Sequence, residues 1–149
     1  MKIVLLSLIA LALASCEEGA KRTFLFPKID INAGENGEEI VAELRNLPLE
    51  PSQGDLRLFV DELILGPQTP RLRPLFSLGT SIKFCFTSEK EGKNVLFVGL
   101  SEDAISQNGS CAEIQLGIQL FERNIRENFK NIEEIVLFIG DSVVNEYQN

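Results

Sequence analysis

Apolar and polar positions change period several times along the chain, and each change marks an element. Residues 81–87 alternate strictly: Ile82, Phe84 and Phe86 fall on one face, and Lys83, Cys85 and Thr87 on the other. That pattern predicts a half-buried strand with the Ile82/Phe84/Phe86 face toward the helices. Residues 93–100 are apolar on both faces, as a central strand requires, and the turn at 88–92 joins the two into a hairpin. Residues 133–139 form a second such strand, closed by Gly140-Asp141, and Val143 and Val144 extend the sheet.

Between the strands the period becomes helical. Leu56, Phe59, Val60, Leu63 and Ile64 make one apolar stripe over 53–65. Ser52, with Asp55 three residues on, is a weak capping box, and Gly66-Pro67 stops the helix. Ser110-Cys111-Ala112-Glu113 is a full capping box. Ile114, Ile118, Phe121 and Ile125 follow as a stripe, widened by Leu116, Leu120 and Phe129, in a helix to about Lys130. Glu122, Arg123, Arg126 and Glu127 form its wet face. Gly117 costs about 1 kcal/mol against Ala in a helix interior, which close packing onto the sheet would offset.

The first part of the chain is less regular. Residues 23–31 carry aromatic and branched residues of a strand, with Pro27 placing it at an edge or a break. Residues 32–37 are turn formers, and 38–47 fit a strand or a helix, a strand pairing back as a hairpin being the better fit. The predicted order is β-β-α-β-β-α-β. This is an α+β fold with two helices on one face of a mainly antiparallel sheet.

Composition narrows the chemistry. The chain has 149 residues, 44% hydrophobic and 24% charged, a foldable composition of one-domain length. Its 14 basic and 22 acidic residues give a net charge of −8, which argues against nucleic acid as a partner. There is no His, so Ser-His and Cys-His pairs and His-containing zinc sites are excluded.

The first sixteen residues carry an address. Lys2 is followed by an apolar run from Ile3 to Ala14, too short to span a bilayer and of the length of a signal peptide. Leu13-Ala14-Ser15-Cys16 resembles the bacterial lipobox. The resemblance implies a signal peptide over 1–15, a diacylglyceryl thioether on Cys16, and a protein held on a bacterial membrane facing the periplasm or cell exterior. Several acyl chains make such an anchor stable. Residues 16–22 would then serve as a polar tether, and 23–149 as a single domain.

Several further segments match a family in order. Phe24-Leu25-Phe26 opens the series, then Glu43-Leu44-Arg45, Phe59 to Pro67 with its Leu-x-Gly-Pro-like end, Leu78-Gly79-Thr80, the 95–101 strand, and the helix, linker and strand of 112–141. Together they resemble the GerMN domain, the sporulation and germination domain named after a germination lipoprotein. Ser77, Gly99 and Gly140-Asp141 depart from its usual residues. The resemblance implies an α-β-β-α-β core akin to ring-building motifs of envelope complexes, no catalytic apparatus and no cofactor. It also implies a protein partner in an extracytoplasmic assembly.

The remaining candidates are modest. An oxidising compartment allows a Cys85–Cys111 disulfide. The strand pattern instead turns Cys85 away from the helices, opposite Cys111. Adjacent acidic pairs, Asp61/Glu62, Glu102/Asp103 and Glu133/Glu134, point in different directions and suit neither glycoside hydrolysis nor a metal loop. Arg71 and Arg73, between Pro70 and Pro74, form the one basic cluster of an acidic domain. They are either a solvated loop or a contact for an anionic partner. A lipid-anchored, non-catalytic binding and assembly module is the expected function. A small-ligand or peptidoglycan-binding lipoprotein is the alternative, and an enzyme fits least.

Overall fold

A computed structural model of the chain describes residues 19–29, 39–48, 54–106 and 110–145. The expected signal peptide, Cys16 and the Ser52 cap lie outside the described residues. The described elements are β1 (Ala20–Pro27), β2 (Ile40–Leu47), α1 (Asp55–Leu65), β3 (Ile82–Lys90), β4 (Lys93–Leu100), a 3-10 turn (Glu102–Ile105), α2 (Cys111–Asn128), β5 (Glu134–Ile139) and β6 (Ser142–Val143). The fold is α+β, as the sequence predicts.

β1 and β2 form the expected antiparallel hairpin, in register from Ala20↔Leu47 to Pro27↔Ile40. It begins three residues before the predicted strand. Arg22 lies in that early stretch, its guanidinium 4.6 Å from the centre of the Phe129 ring and paired with Asp55 at the start of α1. Ala20–Arg22 are therefore strand residues.

The hairpin forms its own two-stranded sheet, and β3-β4-β5-β6 form a second. The strands expected in a single sheet are divided because the outer edge of β1 is occupied by helix side chains. Asn124 Oδ1 accepts the Leu25 N–H at 2.7 Å and its Nδ2 donates to the Leu25 carbonyl at 3.0 Å. One turn later Asn128 repeats the pattern on Thr23, at 3.0 and 2.7 Å. The two amides substitute for a third strand.

In the larger sheet β4 and β5 are central, as their two apolar faces predict. They pair in parallel, with α2 as the crossover, while β3–β4 and β5–β6 are antiparallel. Leu96, Val98 and Leu100 of β4 share one face with Ile135, Leu137 and Ile139 of β5. Phe59, Val60 and Leu63 of α1 and Ile118, Phe121 and Ile125 of α2 belong to the same buried core, so both helices cover that face. Phe24 stacks on Phe59 at 4.6 Å and Phe59 meets Phe129 edge-on at 5.2 Å, tying the hairpin to both helices.

β3 departs from its pattern. The pairing skips one residue between Ile82↔Leu100 and Phe84↔Gly99, a bulge at Lys83. A one-residue shift reverses the faces. Ile82 and Cys85 pack against the core, while Phe84 and Phe86 lie on the opposite face with Phe97 and Phe138. The expected Ile82/Phe84/Phe86 face is thus split, and Cys85 points toward the helices.

α1 starts at Gly54 without a side-chain cap, whereas the Ser110/Glu113 box of α2 is complete. Gly117 does pack closely, but against the chain between α1 and β3 and not against the sheet: a Cβ there would collide with the Leu75 carbonyl oxygen. In an unobstructed helix Gly→Ala would gain about 1 kcal/mol. Here Gly117→Ala is expected to destabilise by about 1–3 kcal/mol through overpacking, measured by urea unfolding.

Candidate functional site

The Leu75 carbonyl against Gly117 holds residues 73–78 beside the first half of α2. The same segment is tied to the 3-10 turn, where the Ser77 N–H donates to the Ala104 carbonyl at 3.3 Å. Below it, Ser101 and Ser81 bond reciprocally, through the Ser101 N–H to the Ser81 carbonyl at 2.9 Å and the Ser81 N–H to Ser101 Oγ at 3.1 Å. Three pieces from distant parts of the sequence thereby enclose a groove of about 660 Å³.

Its lining is mostly apolar. Leu75 and Phe76 form part of the core, Ile114 and Leu116 come from α2, and Leu78 and Ile105 stand on the rim. Leu78 is 69% and Ile105 46% exposed. Isolated exposed apolar residues are ordinary, but here they converge on one concavity, the usual form of a binding site.

An ion pair, Arg73–Glu113, borders this apolar surface. Glu113 also closes the capping box, accepting the Ser110 N–H at 2.8 Å while its own N–H donates to Ser110 Oγ at 3.2 Å. Hydrogen bonds from the Ser110 backbone and hydroxyl, then the Arg73 guanidinium, hold the Glu113 carboxyl below the ordinary glutamate range. It is therefore a carboxylate at neutral pH. The arrangement suits a ligand with an apolar side and a polar end.

The two arginines singled out in the sequence separate here. The Arg71 carbonyl accepts the Ile29 N–H at 2.9 Å and the Arg73 N–H donates to the Pro27 carbonyl at 2.8 Å, so residues 71–73 run beside the end of β1. Arg73 reaches the groove; Arg71 is exposed and does not line it. Leu78 and Ile105 were missed by sequence reasoning because each lies outside any periodic segment.

The other candidates are placed as follows. Cys85 and Cys111 are free thiols. Burial beneath α1 pushes the Cys85 thiol up to about 11, so it stays protonated at neutral pH. Asp61 pairs with Arg57 at 3.1 Å, Glu62 with Arg45 at 3.1 Å, and Glu133 accepts the Asn94 N–H at 2.8 Å. Among the described residues no group of three Cys, Asp or Glu side chains could hold a metal ion, and no helix is long and apolar enough to cross a membrane.

No family model matches the chain, and no curated protein matches it. A crystal structure from Clostridium perfringens, described as a "Putative Lipoprotein", is similar in fold. The TM-score is 0.50 at 18% identity, over 85% of this chain and 78% of that one.

Proposed function

We propose that the chain is a lipid-anchored binding and assembly module of the bacterial cell envelope, facing the periplasm or cell exterior, GerMN-like and non-catalytic. The groove carries the binding part of this reading. Leu78 and Ile105 stand exposed beside an ion pair, which offers an apolar and charged surface to a protein partner. Leu13-Ala14-Ser15-Cys16 supports the anchor, and so does the description of the structural neighbour as a lipoprotein.

The two parts are tested separately. Cys16→Ala is expected to abolish lipid labelling and retention in the membrane fraction; unchanged retention would sink the anchor. Leu78→Glu/Ile105→Glu is expected to leave the melting temperature within about 2 °C, because both side chains are exposed. The same variant should lose a crosslinked protein that the native lipoprotein captures in cells. An undiminished crosslink excludes the groove, and co-sedimentation with peptidoglycan in place of a protein crosslink favours a glycan ligand.

A further inference from the structure

We propose that the chain forms a two-fold dimer in which the β3 edges of two copies pair antiparallel, with the axis at Phe86. β3 is nine residues long and stands at the edge of the larger sheet; among the described residues no strand pairs with its outer side. Such an edge is a template for another strand unless something blunts it. The bulge at Lys83 lies at one end and leaves the pairing from Phe84 to Lys90 regular.

The backbone fixes which groups are available. Glu91 and Gly92 have φ values of 55° and 77° and form a two-residue turn, with Lys90 opposite Lys93. In that turn Lys90 and Lys93 exchange hydrogen bonds, so Phe84, Phe86 and Ser88 bond to β4. Cys85, Thr87 and Glu89 therefore direct their N–H and carbonyl groups outward. With the axis at Phe86, Cys85 of one copy faces Thr87 of the other, and each pair can exchange two hydrogen bonds.

The side chains select this register. Phe86 is 52% exposed and stacks on Phe97 at 5.3 Å. At the axis two Phe86 residues form a non-hydrogen-bonded pair, the closer kind, and cover each other. At each end of the paired segment the bulge residue Lys83 comes next to Glu89 of the other copy. Both are exposed and neither has an ion pair among the described residues. Centring the axis on Cys85 sets Lys83 against Thr87, and centring it on Thr87 sets Glu89 against Cys85. Either choice separates the Phe86 rings.

The test uses the full-length protein purified in detergent micelles. Sedimentation equilibrium should show a dimer in the micromolar range. Thr87→Pro removes an outward N–H without touching the β4 ladder and should weaken it at least tenfold. Lys83→Glu should weaken the dimer, and Lys83→Glu/Glu89→Lys should restore it, which separates pairing from loss of folding. With Cys85 and Cys111 replaced by Ala, Phe86→Cys should oxidise to a covalent dimer, whereas Phe84→Cys, facing Ser88, should not. A monomer throughout, equal crosslinking at 84 and 86, failure of the charge swap to restore, or a different protein seated on β3 overturns the proposal.

Discussion

Asn124→Leu is expected to lower the unfolding free energy by about 2–5 kcal/mol and the melting temperature by roughly 10 °C. Asn124 has no exposed surface, and its amide makes three hydrogen bonds: to both polar groups of Leu25 and to the Leu120 carbonyl at 2.8 Å. Leucine keeps the branched shape of the side chain, with bulkier methyl groups, but leaves the Leu25 N–H and carbonyl buried without partners, each at a cost of about 1–3 kcal/mol. Asn124→Asp is informative because it keeps the acceptor for the Leu25 N–H and turns a second acceptor toward the Leu25 carbonyl. It should also destabilise. Asn128→Ala should cost about 1 kcal/mol, since that side chain is half-buried and water can replace it. Hydrogen exchange provides the local readout: Asn124→Leu should lose protection at Leu25 before the β4 and β5 amides. Unchanged protection there would show that the amide is not what closes the β1 edge.

The same asparagines show what the sequence could and could not reveal. Elements whose signal is local were legible. The Ser110/Glu113 capping box, the alternation of the central strands and the stripe of α1 each depend on neighbours within a few residues. Asn124 sits between wet-face residues of a helix, and nothing in its surroundings distinguishes it from them. Its role comes from a strand about a hundred positions earlier. Lys83 is the opposite failure: the alternation of 82–87 is real, but a bulge consumes one residue and reverses its meaning. Gly117 falls between these cases. A close contact was legible from a glycine inside a helix, yet its partner, the Leu75 carbonyl, comes from a connection without periodicity. The groove was hidden for the same reason. Of its residues only Arg73 was expected to contact a partner, as half of a basic pair, and the structure separates that pair.

Two short segments that are individually unspecific, Glu43-Leu44-Arg45 and Leu65-Gly66-Pro67, meet in the structure. Arg45 Nη2 donates to the Gly66 carbonyl at 2.8 Å, where α1 ends without a basic residue in its last turn. Glu43, two residues away on the same face of β2, accepts the Thr69 N–H at 2.9 Å, Thr69 Oγ1 at 2.7 Å and the Gln68 N–H at 3.2 Å. One carboxylate and one guanidinium thus fasten the hairpin to the end of α1 and to the chain that leads into the groove. The two segments that help carry the GerMN resemblance have a structural task here, which directs the search for a binding surface away from them.

Arg45→Met is the sharper test of that clamp and is expected to cost about 3–5 kcal/mol. The Arg45 side chain is 4% exposed, pairs with Glu43 at 2.5 Å and Glu62 at 3.1 Å, and lies 4.4 Å from the Phe24 ring centre. Methionine keeps much of the apolar contact with Phe24 but leaves the half-buried Glu43 carboxylate without its cation. Arg45→Lys should recover only part of the loss, because one ammonium cannot reproduce a planar fork bound to two carboxylates and a carbonyl. The pH dependence separates the ion pair from simple packing. Burial pushes the Glu43 carboxyl up, but hydrogen bonds from Thr69 Oγ1, the Gln68 N–H, Arg45 and the Thr69 N–H outweigh it and hold it below the ordinary glutamate range. A carboxyl lowered by folding stabilises the native state fully above its unfolded value, and that contribution is lost as pH falls through its folded value. Native stability should therefore fall on acidification below about pH 5, and Arg45→Met should flatten that slope. Adding Glu43→Gln to Arg45→Met should restore part of the lost stability at neutral pH, since no half-buried carboxylate is then left without a cation. An additive double mutant, with an acid slope unchanged from the native protein, would assign the Arg45 loss to packing on Phe24 and Phe26 alone.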